Sequence, residues 1–187
     1  MQEDLKKALD VLKKGGVILF PTDTVWSIGC DATNKKAVER IYRITQRSDP
    51  KSMLVLLDHA GKLSSYVREI PDIAWDLIDL ADKPLTLIYP QAQNLAQNLM
   101  ACDGTIGIRI TQEPFTQKLI ERFRKPMAST SANINGEKSP GNYQEINPQI
   151  IDSVDYVVRW RQNDYSKATP SGIIKLGING EVEVIKK

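Results

Sequence analysis

Three cations and a run of small polar side chains are the residues of this chain best suited to chemistry. Arg47 and Lys51 fall in ITQRSDPKS (44–52), at the end of one helix-like segment and just ahead of a strand-like one. Arg109 sits inside IGIRIT (106–111), where a charge among apolar and small residues needs a partner or a strand-end position. PMASTSANING (126–136) passes from apolar residues into Ser129, Thr130, Ser131 and Asn133. PTDTVWSIGCD (21–31) places Thr22, Asp23 and Thr24 directly after an apolar run. Guanidinium groups clamp carboxylate or phosphate through paired donors, and Ser and Asn add neutral hydrogen bonds. The set suits an anionic ligand, and chemistry that rests on positioning and charge stabilisation, as phosphoryl and nucleotidyl transfers do.

Each member also has a plainer reading. Arg47 could complement the negative end of its helix, and Lys51 after Asp49-Pro50 could be a solvated turn lysine. Thr22 and Thr24 could be turn residues, and the hydroxyl cluster could satisfy a turn through side-chain-to-backbone bonds. Other chemistries lack their residues. No G-x-x-x-x-G-K-[ST] occurs, and no G-x-G-x-x-G follows a strand. His59 is the single histidine and reads as a solvated loop residue, which argues against a Ser-His-Asp arrangement. Cys30 and Cys102 stand far apart without a second ligand nearby, so neither a zinc site nor a disulfide framework is expected.

The elements that must position these groups follow from periodicity. Leu5, Ala8, Leu9 and Leu12 recur at helical spacing and Gly15-Gly16 closes that helix. Val17–Phe20 reads as a buried strand stopped by Pro21. Asn34 is the expected N-cap of a second helix bearing Ala37, Val38 and Ile41. Strands are expected at Met53–Leu57, Leu85–Tyr89, Thr105–Ile110 and Tyr156–Val158, and helices after Pro71 and Pro114. The hydroxyl cluster is expected to end a strand at 127–129. Stretch 90–104 reads as surface loop or short helix, and 135–147 as a mobile loop. Asn179-Gly180 between Gly172–Leu176 and Glu181–Ile185 signals a hairpin. Interleaved strands and helices predict an α/β fold, a twisted mixed β-sheet with flanking helices, over residues 1–187 as one domain. In such open sheets ligands gather at strand ends, which is where the cations and hydroxyls are expected to converge.

Composition narrows the class further. The 25 Lys and Arg against 23 Asp and Glu leave a net charge of +2, small for a duplex-binding domain. The charged, amphipathic start is not a signal peptide, and no apolar run approaches a membrane span. A cytoplasmic protein without membrane attachment is expected.

In this order the motifs resemble the YrdC-like family, whose enzymes make threonylcarbamoyl-AMP for the N6-threonylcarbamoyladenosine modification of tRNA. PTDTVWSIGCD is similar to the family's PTDTVYGLGCD, and STSANING to its STSAN segment. Thr45-Gln46-Arg47 stands at its K-x-R, Ile108-Arg109-Ile110-Thr111 at its V-R-x-[PT], and Pro170-Ser171-Gly172 at its P-S-T. The resemblance implies ATP, L-threonine and bicarbonate as substrates, with magnesium accompanying ATP. It implies Thr22, Arg109 and Ser171 around threonine, and Arg47, Ser129, Ser131 and Asn133 on the nucleotide phosphates with Lys51 assisting. Arg47, Lys51 and Arg109 would carry the catalytic charge. Partners implied are tRNA or tRNA-modification proteins. An RNA-binding module for tRNA or double-stranded RNA, or a catalytically weakened ligand-binding relative, are the alternatives. Departures are local: Thr45 replaces the lysine of K-x-R, Ser48 a proline, Ser27 a glycine, and Asp82-Lys83 part of a Pro-Gly turn. The loss at Thr45 predicts weakened catalysis, because it removes one cation from an anion site.

Overall fold

A computed structural model describes residues 1–187. The helices are α1 (Gln2–Lys13), α2 (Lys35–Thr45), α3 (Ile73–Leu80), α4 (Pro114–Phe123) and α5 (Pro148–Ser153). The strands are β1 (Ile18–Phe20), β2 (Ser27–Asp31), β3 (Leu54–Leu57), β4 (Leu85–Tyr89), β5 (Ile106–Ile110), β6 (Met127–Ser131), β7 (Tyr156–Val157), β8 (Gly172–Leu176) and β9 (Val182–Lys186). All nine strands join one sheet in the order β7-β1-β2-β6-β3-β5-β4-β8-β9. Pairings β1–β7, β3–β5 and β4–β8 are parallel and the other five antiparallel, giving the expected mixed sheet.

Local signals start and stop the helices near the site. Asn34 Oδ1 accepts hydrogen bonds from the Lys36 and Ala37 amides and so caps α2. The same helix ends on Gln46 in the left-handed conformation (φ 53°), which turns Arg47 out of the helical path. Pro114 occupies the first turn of α4, and the Glu113 carboxylate accepts from the Thr116 amide.

Period-two alternation sorts the strand residues onto two faces. Under α1 and α4 lie Ile18, Phe20, Leu56 and Met127, sealed by Leu5, Leu12, Phe115 and Leu119. The larger core occupies the other face, where Leu19, Ile28, Val55, Ile108 and Ala128 meet Ile41 of α2, Ala74 of α3 and Ile150 of α5. Leu56 pairs with Met127 and Arg109, Leu54 with Ser129, and Thr86 with Arg109 and Ile173. Paired residues share a face, so the α1–α4 face continues past the helices into Leu54, Ser129, Arg109, Thr86 and Ile173. No helix covers that continuation.

One strand was not foreseen and two expectations need correction. Ser27–Asp31 is a strand, β2, held between β1 and β6. Its Gly29 is needed because a β-carbon there would stand 2.6 Å from the Phe20 ring and 2.9 Å from Ala128 O. The hydroxyl cluster does not end a strand at 129: β6 runs through Ser131, so Ser129 and Ser131 project from the sheet face rather than from its edge. Stretch 135–147 is tied down, with Tyr143 packed on Trp26 at 5.1 Å between ring centroids and Asn142 Nδ2 donating to Tyr165 O.

Candidate active site

The helix-free part of the sheet face floors a cavity of about 240 Å³ lined by Arg109, Ser129, Ser131, Ser171, Ser52 and Lys186, among others. Arg109 is the next-to-last residue of β5, Ser129 and Ser131 come from β6, and Ser171 is the residue before β8. A groove that would otherwise expose apolar strand residues is thereby walled mainly by hydroxyls and cations. The convergence expected at strand ends occurs instead on the face of the sheet, because Ser129, Ser131 and Arg109 alternate with neighbours that pack into the larger core.

Arg109 is the most constrained of these groups. Its side chain is 4% exposed and its Nε stands 3.1 Å from Asp23 Oδ1, itself on a side chain 7% exposed. Neither atom makes a well-aligned hydrogen bond, so the attraction is chiefly coulombic. Burial pulls the guanidinium below its usual pKa, and the Asp23 charge opposes that pull. Asp23 Oδ2 accepts from the Gln112 amide (3.2 Å), which fixes the carboxylate from its other side.

Arg47 approaches from α2. Its Nη1 and Nη2 donate to Ser131 O and Ser131 Oγ, each at 3.2 Å, and burial lowers its pKa. The left-handed turn at Gln46 makes this reach possible. Arg109 thus lines the cavity directly, while Arg47 touches it only through Ser131.

Ser171 Oγ lies 2.8 Å from Thr86 Oγ1, which orients it within the lining. Lys51 does not line this cavity. It stands on the Pro50–Ser52 turn, its Nζ 3.8 Å from Asp103 Oδ2, and lines a neighbouring cavity of about 440 Å³. The two cavities share Ser52, Leu54 and Ile173, so an extended ligand can occupy both. Thr130 Oγ1 donates to Ser52 O (2.8 Å) and anchors that turn to β6.

Two expected members stand apart. Thr22 is buried, and its hydroxyl donates to Val25 O and accepts from the Thr24 amide, so it shapes the turn after β1. Asn133 Nδ2 donates to Ile134 O and Glu137 O, which spends its donors on the following loop. Thr45 is fully buried and turns its hydroxyl back to Ile41 O (2.8 Å), so no polar group reaches the cavity from that position. Lys186, at the end of β9, does line the cavity. Sequence reading overlooked it, because a Lys-Lys tail carries no local sign of what it faces. Asp23 was visible within PTDT only as a polar residue, and its pairing with Arg109 across 86 positions had no signal.

Chemically, the cavity offers the Arg109 guanidinium, the Lys186 ammonium and several hydroxyls to an anion, with Arg47 tied behind Ser131 and no nucleophile–base pair beside them. Such a site binds and orients anions and stabilises charge as it develops. His59 serves the fold instead, since its Nδ1 accepts from the Gly61 amide and caps the turn at Ala60–Ser65.

A family model described as telomere recombination, that of Sua5, YciO and YrdC, matches residues 10–187. The chain is 33% identical over 184 residues to a threonylcarbamoyl-AMP synthase of Pseudoalteromonas translucida, covering 97% of each. It is 32% identical to the human threonylcarbamoyl-AMP synthase, covering 82% of this chain and 56% of the human one. Among solved structures, E. coli YciO superposes with a TM-score of 0.86 at 27% identity, over 100% of this chain and 90% of YciO. P. abyssi Sua5 in complex with L-threonine superposes with a TM-score of 0.82 at 25% identity, over 92% of this chain. This chain spans half the length of that Sua5 chain. The chain belongs to the Sua5, YciO and YrdC family.

Proposed function

We propose that this chain condenses L-threonine, bicarbonate and ATP into threonylcarbamoyl-AMP, releasing pyrophosphate and water, and so supplies the threonylcarbamoyl group for tRNA modification. The observation that carries the reading is the single cavity in which Arg109, Ser129, Ser131 and Ser171 meet, with Arg47 anchored on Ser131. The threonine nitrogen forms a bond to the bicarbonate carbon with loss of water, giving an N-carboxylate. A carboxylate oxygen then bonds to the α-phosphorus of ATP as the bond to pyrophosphate breaks. Two anions must be held against each other for this step, and the charge they share spreads as they react.

Arg109, held by Asp23, steadies the carboxylates, with Ser171 beside the threonine. Arg47, Ser129 and Ser131 take the phosphates, and the neighbouring cavity with Lys51 receives the rest of the nucleotide. Magnesium enters as the ion of ATP. Thr22 and Asn133 act through the turns they build, since the Thr22 hydroxyl and the Asn133 Nδ2 are engaged there. Lys186 offers the cation that Thr45 does not, and the expected cost of a missing charge at a developing anion is about 2–4 kcal/mol, two to three decades in rate. No helix is long and apolar enough to cross a membrane.

The test is pyrophosphate release by the purified chain with each substrate omitted in turn. Release that needs L-threonine, bicarbonate and ATP together is expected. Release indifferent to threonine, or no binding of either ATP or threonine, ends the reading.

A further inference from the structure

Two strongly charged surfaces of opposite sign lie on opposite faces of the sheet. On the face covered by α1 and α4, a groove of about 510 Å³ runs between the two helices, lined by Gln2, Leu9, Lys118, Glu121, Arg122 and Arg124. Lys6 and Lys13 are exposed on the same stripe of α1 as Gln2 and Leu9, at helical spacing. Cations thus outnumber the one carboxylate in the lining, Glu121, with Asp10 at the edge of the α1 stripe. None of Lys6, Lys13, Lys118, Arg122 and Arg124 takes part in an ion pair. The other surface is α3. Asp72, Trp75, Asp76, Asp79 and Leu80 recur at helical spacing and are all exposed, while Ala74 packs into the larger core. These carboxylates form no ion pair either. Trp75 is 38% and Leu80 82% exposed. Tryptophan is among the residues that dominate the binding energy of protein interfaces.

The two surfaces match in charge and in length. The eight residues of α3 rise about 12 Å, and the stretch of α1 from Gln2 to Leu9 rises about 10 Å. The groove calls for an acidic helix with an apolar residue among its carboxylates, and the chain itself carries one. We propose that the groove between α1 and α4 is the docking site for α3 of a second copy of this chain. The carboxylates of α3 meet the groove cations, and the tryptophan covers half-buried Leu9. Because the two surfaces lie on opposite faces of the sheet, α3 cannot reach its own groove, and the contact joins copies head to tail. Charge of this kind sets the register and the rate of association, and salt screens it. Neither surface contributes a residue to the anion cavity, so the assignment stands apart from the proposed synthase reaction.

The test is sedimentation velocity of the full chain over a range of concentrations. At low salt the sedimentation coefficient should rise with concentration, and high salt should return it to the monomer value. Asp76→Lys/Asp79→Lys and Lys118→Glu/Arg122→Glu alter exposed positions only, and each variant alone should stay monomeric. Mixed in equal amounts, the first keeps an intact groove and the second an intact α3, so the two should form a one-to-one dimer that grows no further. Trp75→Ala should weaken self-association roughly tenfold or more, as loss of an aromatic anchor does. Association that persists in either charge-reversed variant, a mixture that fails to pair, or undiminished association of Trp75→Ala overturns the docking. A native chain that stays monomeric at low salt overturns the second copy as occupant; tRNA binding that is lost in Lys118→Glu/Arg122→Glu would then assign the groove to nucleic acid. Because association and not turnover is read, failure here leaves the proposed synthase activity to its own test.

Discussion

Removing Asp23 should expose how much the buried charge at Arg109 depends on it. The two side chains are almost fully enclosed, with Nε and Oδ1 3.1 Å apart. At an effective dielectric of about 20, unit charges at that separation attract by about 5 kcal/mol. Deleting one partner of such a pair leaves an uncompensated buried charge and typically costs about 3–5 kcal/mol. Asp23→Ala also removes the acceptor of the Gln112 amide, an exposed hydrogen bond that water can replace at little further cost. Arg109→Met alone leaves Asp23 buried beside an apolar chain and should cost a similar amount. The double variant Asp23→Ala/Arg109→Met has no unpaired charge, and its cost should fall to about 1–2 kcal/mol. Urea unfolding of all four proteins at unchanged m-value gives the coupling, expected at about 3 kcal/mol or more. Costs that simply add in the double variant would refute the claim that Asp23 exists to hold Arg109. Pyrophosphate release separates stability from catalysis, because the double variant should be stable yet inactive.

Arg47→Ala should weaken ATP binding by roughly tenfold or more, the loss of a charge-assisted contact, as read by calorimetry; native affinity would count against its phosphate role. Thr45→Lys restores a cation at the end of α2 and should raise the rate of adenylate formation, while the larger side chain at a fully buried position costs about 1–3 kcal/mol of stability. A flat or lower rate would mean that the cavity is built around the threonine. For the cysteines, Cys102 is exposed and Cys30 buried, with burial pushing the Cys30 thiol well above its usual pKa. An alkylating reagent should therefore modify one thiol in the native chain and a second only on unfolding; rapid native labelling of both would contradict the packing of β2.

Helices and most strands were legible because each carries its own signal. Asn34 caps α2 as its position foretold, and the apolar run Leu54–Leu57 and the alternation of Ile106–Ile110 give β3 and β5. Strand β2 was not, since SIGCD contains a glycine and an aspartate, both poor strand formers. Its extended form comes from neighbours on both sides, and its glycine from the approach of Phe20. That is a tertiary demand which no local window contains. The stretch at 135–147 misled in the same way: its Gly, Ser and Asn suggest mobility, while distant Trp26 and Tyr165 hold it.

The site divides along the same line. Residue types pointed to an anion site and the order of the motifs to the family, while the cavity that gathers those residues lies on the sheet face. The decisive clue lies in the alternation of β6, where buried Met127 gives way on the same face to Ser129 and Ser131. On β3 that face goes from Leu56 under the helices to Leu54 in the cavity, and on β5 it presents Arg109. A face that changes from apolar to hydroxyl and cation along its strands must lose its helical cover where the change occurs, since a packed helix would bury those groups at several kcal/mol. Arg109 is tolerated there only with Asp23, and Arg47 reaches Ser131 only because Gln46 breaks the helix in a left-handed turn. The same argument explains why Thr22 and Asn133 fall outside the cavity despite belonging to its motifs. The Thr22 hydroxyl and the Asn133 Nδ2 are engaged by backbone groups of their own turns, which leaves Arg109, Lys186 and the β6 serines to line the cavity.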